Sequence, residues 1–257
     1  RYLKPGENVF LERNVAEMAR KASVPMPRLA IVEDMTPNAF VFGRTLATST
    51  LAVHRGLLEK LNAEEVKAVL AHEVGHLKHR DVIIMTFAGA IPILAYFVAR
   101  ILMFGGRSRS KNSGGLVIVG IVALVVYVVS QYLVLRLSRL REFYADSYSG
   151  TSTGRPRSLA SALAKITYGM SLAPKEKAGA ARAFYIGDPQ CAVSDAREVQ
   201  QIDLNRDGVL DDRELQLAAE KGEKKGVWSS MGRISSTHPS TYKRIMLLLE
   251  IDKDLRG

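Results

Sequence analysis

The chain has 257 residues, of which 47% are hydrophobic and 24% charged, with a formal net charge of +10. That length holds one sizeable core plus an appendage, and a single cysteine, Cys191, excludes an internal disulfide framework. Positive charge suits nucleic acid or an anionic membrane surface. No nucleic-acid motif or interleaved aromatics accompany it, and several basic residues border two long apolar tracts. A lipid bilayer is therefore the expected partner, and nucleic acid is not. The sequence starts at Arg1 rather than Met and shows no signal peptide, which reads as a fragment or a processed product.

In chain order, Asn14–Ser23 predicts a short amphipathic helix closed by Val24-Pro25-Met26-Pro27. Arg28–Val32, Ala39–Phe42 and Leu46–Val53 predict strands. Asn62 offers an N-cap, with Glu65 as its capping-box partner, for a helix running through Arg80. Val82–Phe104 is apolar except for Arg100 and would extend roughly 34 Å, enough to cross a bilayer core of about 30 Å. Leu116–Leu135 gives about 30 Å by the same arithmetic. Between them, Gly105–Gly115 carries Arg107, Arg109 and Lys111 and predicts a flexible basic loop. A buried hairpin in a soluble protein is the alternative, but two consecutive tracts with so few polar interruptions favour a transmembrane helical hairpin.

Further along, the pattern predicts a helix through Asp146, a loop at Thr153-Gly154-Arg155-Pro156 and a helix over Ser158–Leu172. A basic, Ala-rich run over Lys175–Gly187, a charged segment over Asp195–Lys225 and a closing helix over Tyr242–Ile251 follow. The expected fold class is mainly α with a small β-sheet (α+β). Residues 1–81 and 136–257 form the two parts of one domain, residues 82–135 the hairpin, and about 195–225 an insert.

His72-Glu73-Val74-Gly75-His76 is an H-E-x-x-H sequence on a predicted helix. Residues four apart share a helix face, so both imidazoles can address one metal ion. Glu73, one position along, can serve as general base without being a ligand. A catalytic zinc takes three protein ligands and keeps one position open. His79 lies roughly 10 Å from His72 along the axis, too far for two bonds of about 2 Å to a common ion. Glu142 is the better third ligand. His76 lies just before the first apolar tract and Glu142 after the second, and an antiparallel hairpin returns the chain to the side it left. Asp146, four residues on, faces the same way and can accept the second N–H of a ligand imidazole.

Asp203 to Glu214 matches the twelve-residue EF-hand loop at every ligand position. Asp203, Asn205 and Asp207 offer side-chain oxygens, Val209 its carbonyl, Asp211 a contact through water, and Glu214 a bidentate carboxylate. Gly208 permits the sharp turn. Ser194–Ile202 and Leu215–Lys225 are the expected flanking helices, so calcium is expected beside zinc.

His72 to His76, Arg141-Glu142-Phe143-Tyr144-Ala145-Asp146 and Thr237-His238-Pro239 together resemble the HtpX-like membrane metallopeptidases, relatives of the CAAX prenyl endopeptidases. Pro37-Asn38-Ala39-Phe40 and Thr153-Gly154-Arg155-Pro156 resemble that family too, and the likeness runs from about Ala16 to Leu249. It implies a gluzincin-type zinc peptidase domain with Glu142 as third ligand. Hydrolysis of internal peptide bonds, in quality control of membrane or misfolded proteins, is the implied activity. By the same resemblance Asn38 and Ala39 lie beside the edge strand that receives the substrate backbone, and His238 stabilises the transition state. The family pattern also has two membrane helices before the catalytic domain, which this sequence lacks. The resemblance implies a multi-pass cell-membrane protein with a cytoplasmic active site. Lys78, Arg80, Arg139 and Arg141 favour the same orientation, against the basic loop.

Overall fold

The computed structural model describes residues 1–104, 113–172, 185–188, 190–211, 213–214 and 238–256. The basic loop over 105–112, most of the Ala-rich run and the helix expected over Leu215–Lys225 lie outside the described residues.

Helix α1 (Val9–Ala22) starts earlier than the Asn14 read from the sequence, because the Asn8 side chain accepts from the Leu11 N–H and caps it. Leu11, Val15, Met18 and Ala22 recur at helical spacing and are buried. Ser23 closes the helix in the left-handed conformation, its N–H bonded to the Ala19 and Arg20 carbonyls.

Strands β1 (Arg28–Val32), β2 (Ala39–Phe42) and β3 (Thr50–His54) form a mixed sheet in the order β1-β3-β2. β1 runs parallel to β3 and β2 antiparallel to it, which leaves β2 on an edge. The third strand is shorter than the Leu46–Val53 expected. Thr45 and Thr48 cap each other across a 3-10 turn at Leu46–Thr48, satisfying those backbone groups locally instead of across the sheet.

After the short α2 (Arg55–Lys60), helix α3 (Ala63–Lys78) opens on the expected capping box: Asn62 and Glu65 exchange side-chain-to-backbone bonds of 2.9 Å each. It ends slightly before Arg80, which adopts φ +55 and redirects the chain into α4 (Asp81–Phe104). Helix α5 (Ser113–Thr153) is one continuous helix of 41 residues, not an apolar tract followed by a second helix. The stretch Arg136–Glu142 contains no glycine or proline to interrupt it. At about 61 Å, α5 is roughly twice as long as a bilayer core is thick, so its second half stands clear of the apolar hairpin. Helices α6 (Pro156–Ser171, with proline at its start), α7 (Ala192–Val199) and α8 (Thr241–Arg256) complete the domain.

The core lies among α1, α3, α6, α8 and the sheet, where Val69, Leu70, Leu159, Ile166, Ile245 and Leu248 are buried. The hairpin is the opposite. Phe87 is 72% exposed, Leu94 65%, Ile118 64% and Leu133 59%. Such exposure is incompatible with the buried hairpin of a soluble core. Among the described residues, two helices, α4 and α5, are long and apolar enough to cross a membrane.

Close packing fixes where α3 meets α5. A Cβ added to Gly75 would lie 3.2 Å from Ala145 Cα and 3.1 Å from Tyr148 Cδ1. The glycine inside H-E-x-x-H therefore sets how near Glu142 can come. Gly75→Val, which adds a branched side chain at that crossing, is expected to cost about 1–3 kcal/mol and to lower metal content below one ion per chain. Denaturant unfolding and elemental analysis check both; wild-type values in the variant would show that the crossing does not control the site.

Candidate metal centre

His72 and His76 project from one face of α3, with their Nε2 atoms 3.2 Å apart. Glu142 on α5 places Oε2 3.6 Å from His72 Nε2 and Oε1 3.7 Å from His76 Nε2. Two atoms bound at about 2 Å to a tetrahedral ion lie about 3.3 Å apart, so these spacings are those of a chelate. These residues are the one such potential metal-holding group found among the described residues.

The far side of each ring is occupied by a carboxylate. His72 Nδ1 lies 3.0 Å from Asp146 Oδ1, and His76 Nδ1 lies 2.6 Å from Asp81 Oδ2. A carboxylate there holds the ring proton on Nδ1 and leaves the Nε2 lone pair free. Both lone pairs then converge on one point beside Glu142, whose Oε2 is buried and accepts no hydrogen bond. Without an ion, Arg244 Nη2 lies 3.4 Å from His72 Nε2 and a proton on His76 offsets the Glu142 charge; a bound cation would replace both. The donor set of two imidazoles and one carboxylate fits zinc.

Arg244 on α8 lies beneath these groups and is 1% exposed. Its Nε and Nη2 donate to the two oxygens of Asp146 at 2.8 and 2.7 Å, and Nη1 donates to the Ile186 carbonyl at 2.5 Å. Nη1 also lies 3.4 Å from Glu142 Oε2. On the hairpin side, Arg141 Nε sits 3.0 Å from Asp81 Oδ1. Burial keeps His72 below its ordinary pKa, favouring the neutral imidazole. Burial opposes the charged form of His76 too, but the Asp81 hydrogen bond and the charges of Glu142 and Glu73 outweigh it and carry His76 up to about 9.

Glu73 is buried beside the group, and burial pushes its carboxyl up to about 7. The backbone N–H of Val41 donates to it. The register explains this contact. The Asn38 carbonyl accepts from the His54 N–H at 2.9 Å, so Asn38, Phe40 and Phe42 turn their backbone groups toward β3. Ala39 and Val41 consequently turn theirs to the open edge, facing Glu73. The Asn38 side chain accepts from the Ile186 N–H at 3.0 Å, so residue 186 bridges the start of β2 to Arg244. Past the strand, a shallow recess is lined by Phe42, Leu46, His76, Leu77, Val82 and Ile83 among others.

His238 arrives from the far end of the chain, 7% exposed, with Nδ1 3.6 Å from Glu142 Oε1. His79 stays outside, edge-on against Tyr144 and Tyr148 at ring separations of 6.0 and 6.2 Å. Asp203, Asn205, Asp207, Val209, Asp211 and Glu214 form a separate loop against α6, where Tyr168 donates to Asp203 at 2.8 Å. Sequence reasoning missed Asp81 and Arg244. Asp81 reads as one more charge flanking an apolar tract, although its five-residue spacing from His76 is a usable signal. Nothing in the Tyr242–Ile251 helix pattern singles out Arg244.

A helix bearing two histidine ligands with a glutamate beside the first, completed by a carboxylate from another helix, defines the metallopeptidase class of mononuclear metal sites. The chain belongs to peptidase family M48, whose profile matches residues 5–252. It is 42% identical over 170 residues to a protease HtpX homologue of Methanothermobacter thermautotrophicus, covering 66% of this chain and 64% of that one. With a protease HtpX homologue of Aeropyrum pernix it shares 45% identity over 168 residues, 63% of this chain and 52% of the relative. The chain thus spans between half and two thirds of the length of these relatives. A protease HtpX homologue 2 of Methanosarcina acetivorans is 36% identical over 240 residues, 91% of this chain and 69% of its own. The crystal structure of S. mikatae Ste24p shares the fold, with a TM-score of 0.51, 16% identity, and coverage of 96% of this chain and 50% of that one.

Breaking a buried ion pair leaves an uncompensated charge and costs about 3–5 kcal/mol. Arg244→Met is expected to lose about that much stability in denaturant unfolding and to bind zinc more weakly. Arg244→Lys does not restore either property, because an ammonium cannot make the two parallel bonds to Asp146. Wild-type unfolding of the Met variant would remove Arg244 from this role.

Proposed function

We propose that the chain is the catalytic part of a membrane-bound zinc endopeptidase that hydrolyses internal peptide bonds, acting on membrane or misfolded proteins. The convergence of His72 Nε2, His76 Nε2 and Glu142 on one point, with Glu73 buried beside it, carries this reading. His72, His76 and Glu142 would hold the zinc, while Asp146 and Asp81 orient the two imidazoles. Bound there, zinc supplies a Lewis acid that makes water nucleophilic at neutral pH and polarises a carbonyl.

Glu73 is the general base. Its carboxyl, lifted to about 7 by burial, accepts a proton from the attacking water and returns it to the leaving amine. His238, beside Glu142, donates to the oxyanion that develops on the scissile carbonyl. The substrate backbone adds as a further strand along the edge of β2, where Ala39 presents its backbone groups and Val41 its carbonyl, and Asn38 secures the strand's end. This mode reads main chain more than side chains, which suits a peptidase of broad range. The apolar recess past Phe42 takes one substrate side chain.

The exposed apolar surfaces of α4 and α5 support insertion of the hairpin in a bilayer, with the metal centre just outside it. Lys78, Arg80, Arg139 and Arg141 flank the catalytic side and favour a cytoplasmic orientation.

Glu73→Gln keeps the size of the side chain and all three ligands, so it is expected to bind zinc fully and to lose casein hydrolysis by at least about 100-fold. Elemental analysis beside the peptidase assay reads both, and retained turnover would remove Glu73 as the base. Glu142→Ala is expected to bind zinc far more weakly, whereas His79→Ala keeps wild-type content. The reverse pattern of metal loss would mean that another residue completes the site.

A further inference from the structure

The loop from Asp203 to Glu214 has no part in the hydrolysis, yet it buries two carboxylates. Asp203 is 0% exposed and Glu214 3%, and neither has an ion-pair partner among the described residues. Burying an ionised carboxylate without a cation is costly. Glu214 is partly compensated, since its two oxygens accept from the Leu204 and Asp211 N–H groups at 2.7 and 3.1 Å. Asp203 is compensated on one oxygen only: Oδ2 accepts from Gly208 N–H at 3.0 Å and from the Tyr168 hydroxyl at 2.8 Å. Oδ1 is buried and accepts no hydrogen bond at all. The bond to Gly208, across the loop, turns the carboxylate toward the loop's own backbone; the loop's carboxylate oxygens are not drawn together as tightly as those of the His72, His76 and Glu142 group.

We infer that this loop is a calcium site, separate from the zinc centre, with Asp203, Asn205, Asp207 and Glu214 as side-chain ligands. Val209 contributes its carbonyl, and Asp211 acts through a water. The donors are oxygens alone, which selects a hard cation over zinc. A loop of six or more flexible oxygen donors suits calcium better than magnesium, which demands near-octahedral geometry and keeps its waters. Gly208, at φ +74, makes the sharp turn opposite Asp203. Asn205 and Asp207 are exposed, so the ion enters from solvent.

The loop is tied to the peptidase frame through α6 and, upstream, through α7. It leans on α6, where a Cβ at Gly208 would lie 2.5 Å from Lys165 Cγ. Lys165 in turn binds Glu65, the capping residue of α3, at 2.6 Å. Upstream of the loop, Asp195 on α7 accepts from the Thr241 N–H at 3.3 Å, at the start of α8. Calcium in the loop therefore fixes α6 and α7 against the two helices that carry His72, His76 and Arg244. The expected consequence is a more heat-stable domain.

Calorimetric titration of CaCl2 into the zinc-loaded, detergent-solubilised chain tests this, with thermal unfolding at each end point. The wild type is expected to bind one calcium per chain with micromolar to millimolar affinity, to bind magnesium at least ten-fold more weakly, and to show a higher Tm with calcium. Asp207→Asn replaces an exposed ligand without changing its shape and is expected to bind at least ten-fold more weakly, with zinc content unchanged. Asp203→Asn/Glu214→Gln is expected to lose both the binding and the Tm response. Neither heat nor a Tm rise from the wild type at millimolar calcium overturns the site. Wild-type affinity in both variants, showing that any calcium binds elsewhere, overturns it equally.

Discussion

Charge balance around one buried guanidinium governs the metal centre. Asp81, Glu142, Asp146 and Glu73 all lie within or against the group, and among the described residues Arg244 and Arg141 pair with them. With both imidazoles neutral and Glu73 ionised, four carboxylates against these two guanidiniums leave a net charge of two negative units, which a divalent cation would offset. Arg244 has to be arginine. Only a planar fork can bind both Asp146 oxygens, reach the Ile186 carbonyl and still approach Glu142. Through Asp146 it holds the proton of His72 on Nδ1, and through Ile186 it positions Asn38 at the start of the edge strand. One side chain thus connects the His72 tautomer, the Glu142 charge and the start of the edge strand.

The hairpin solves a different problem, that of bringing together ligands 66 residues apart in sequence between His76 and Glu142. A flexible connection of that length would cost loop-closure entropy each time the site formed. Here α4 leaves from the end of α3, and α5 returns as a single rod that carries Glu142 and Asp146 past the apolar zone. Gly75 allows the rod to lie against α3 at backbone distance. The Asp81–His76 contact couples the first residue of the apolar helix directly to a ligand, so tilting the hairpin would disturb the imidazole. Placement of the apolar hairpin and geometry of the site are mechanically one feature.

Local patterns were legible in the sequence, and long-range convergence was legible only where topology constrained it. The capping box at Asn62 and Glu65, the β1 and β2 boundaries and both apolar helices could be read because each depends on residues within a few positions. The placement of Glu142 near His72 and His76 followed from the antiparallel return of a hairpin. Arg244 was invisible. Its partners lie 98 residues away at Asp146 and 58 away at Ile186, and nothing in helix periodicity distinguishes a buried arginine from a solvated one. The start of α1 and the shortening of β3 went unread for a subtler reason. Asn8 and Thr45 satisfy backbone groups through their own side chains, and such local bonds compete with the pattern of apolar residues.

The two loci that present oxygen or nitrogen donors differ in what assembles them, and this accounts for their different dependence on the fold. The zinc group draws on α3 and α5 and is braced from α4 and α8, so it exists only when the core and the hairpin are both in place. The loop over Asp203–Glu214 takes its donors from twelve consecutive residues and borrows only the Tyr168 hydroxyl from α6. A site of the first kind reports on global folding, whereas one of the second kind can fill or empty while the core stays packed. Because α7 reaches the start of α8 through Asp195 and Thr241, an ion in that loop, as proposed, would be felt by the helix that holds Arg244. The physical route from that loop to the metal centre therefore runs through packed helices, α7 to α8.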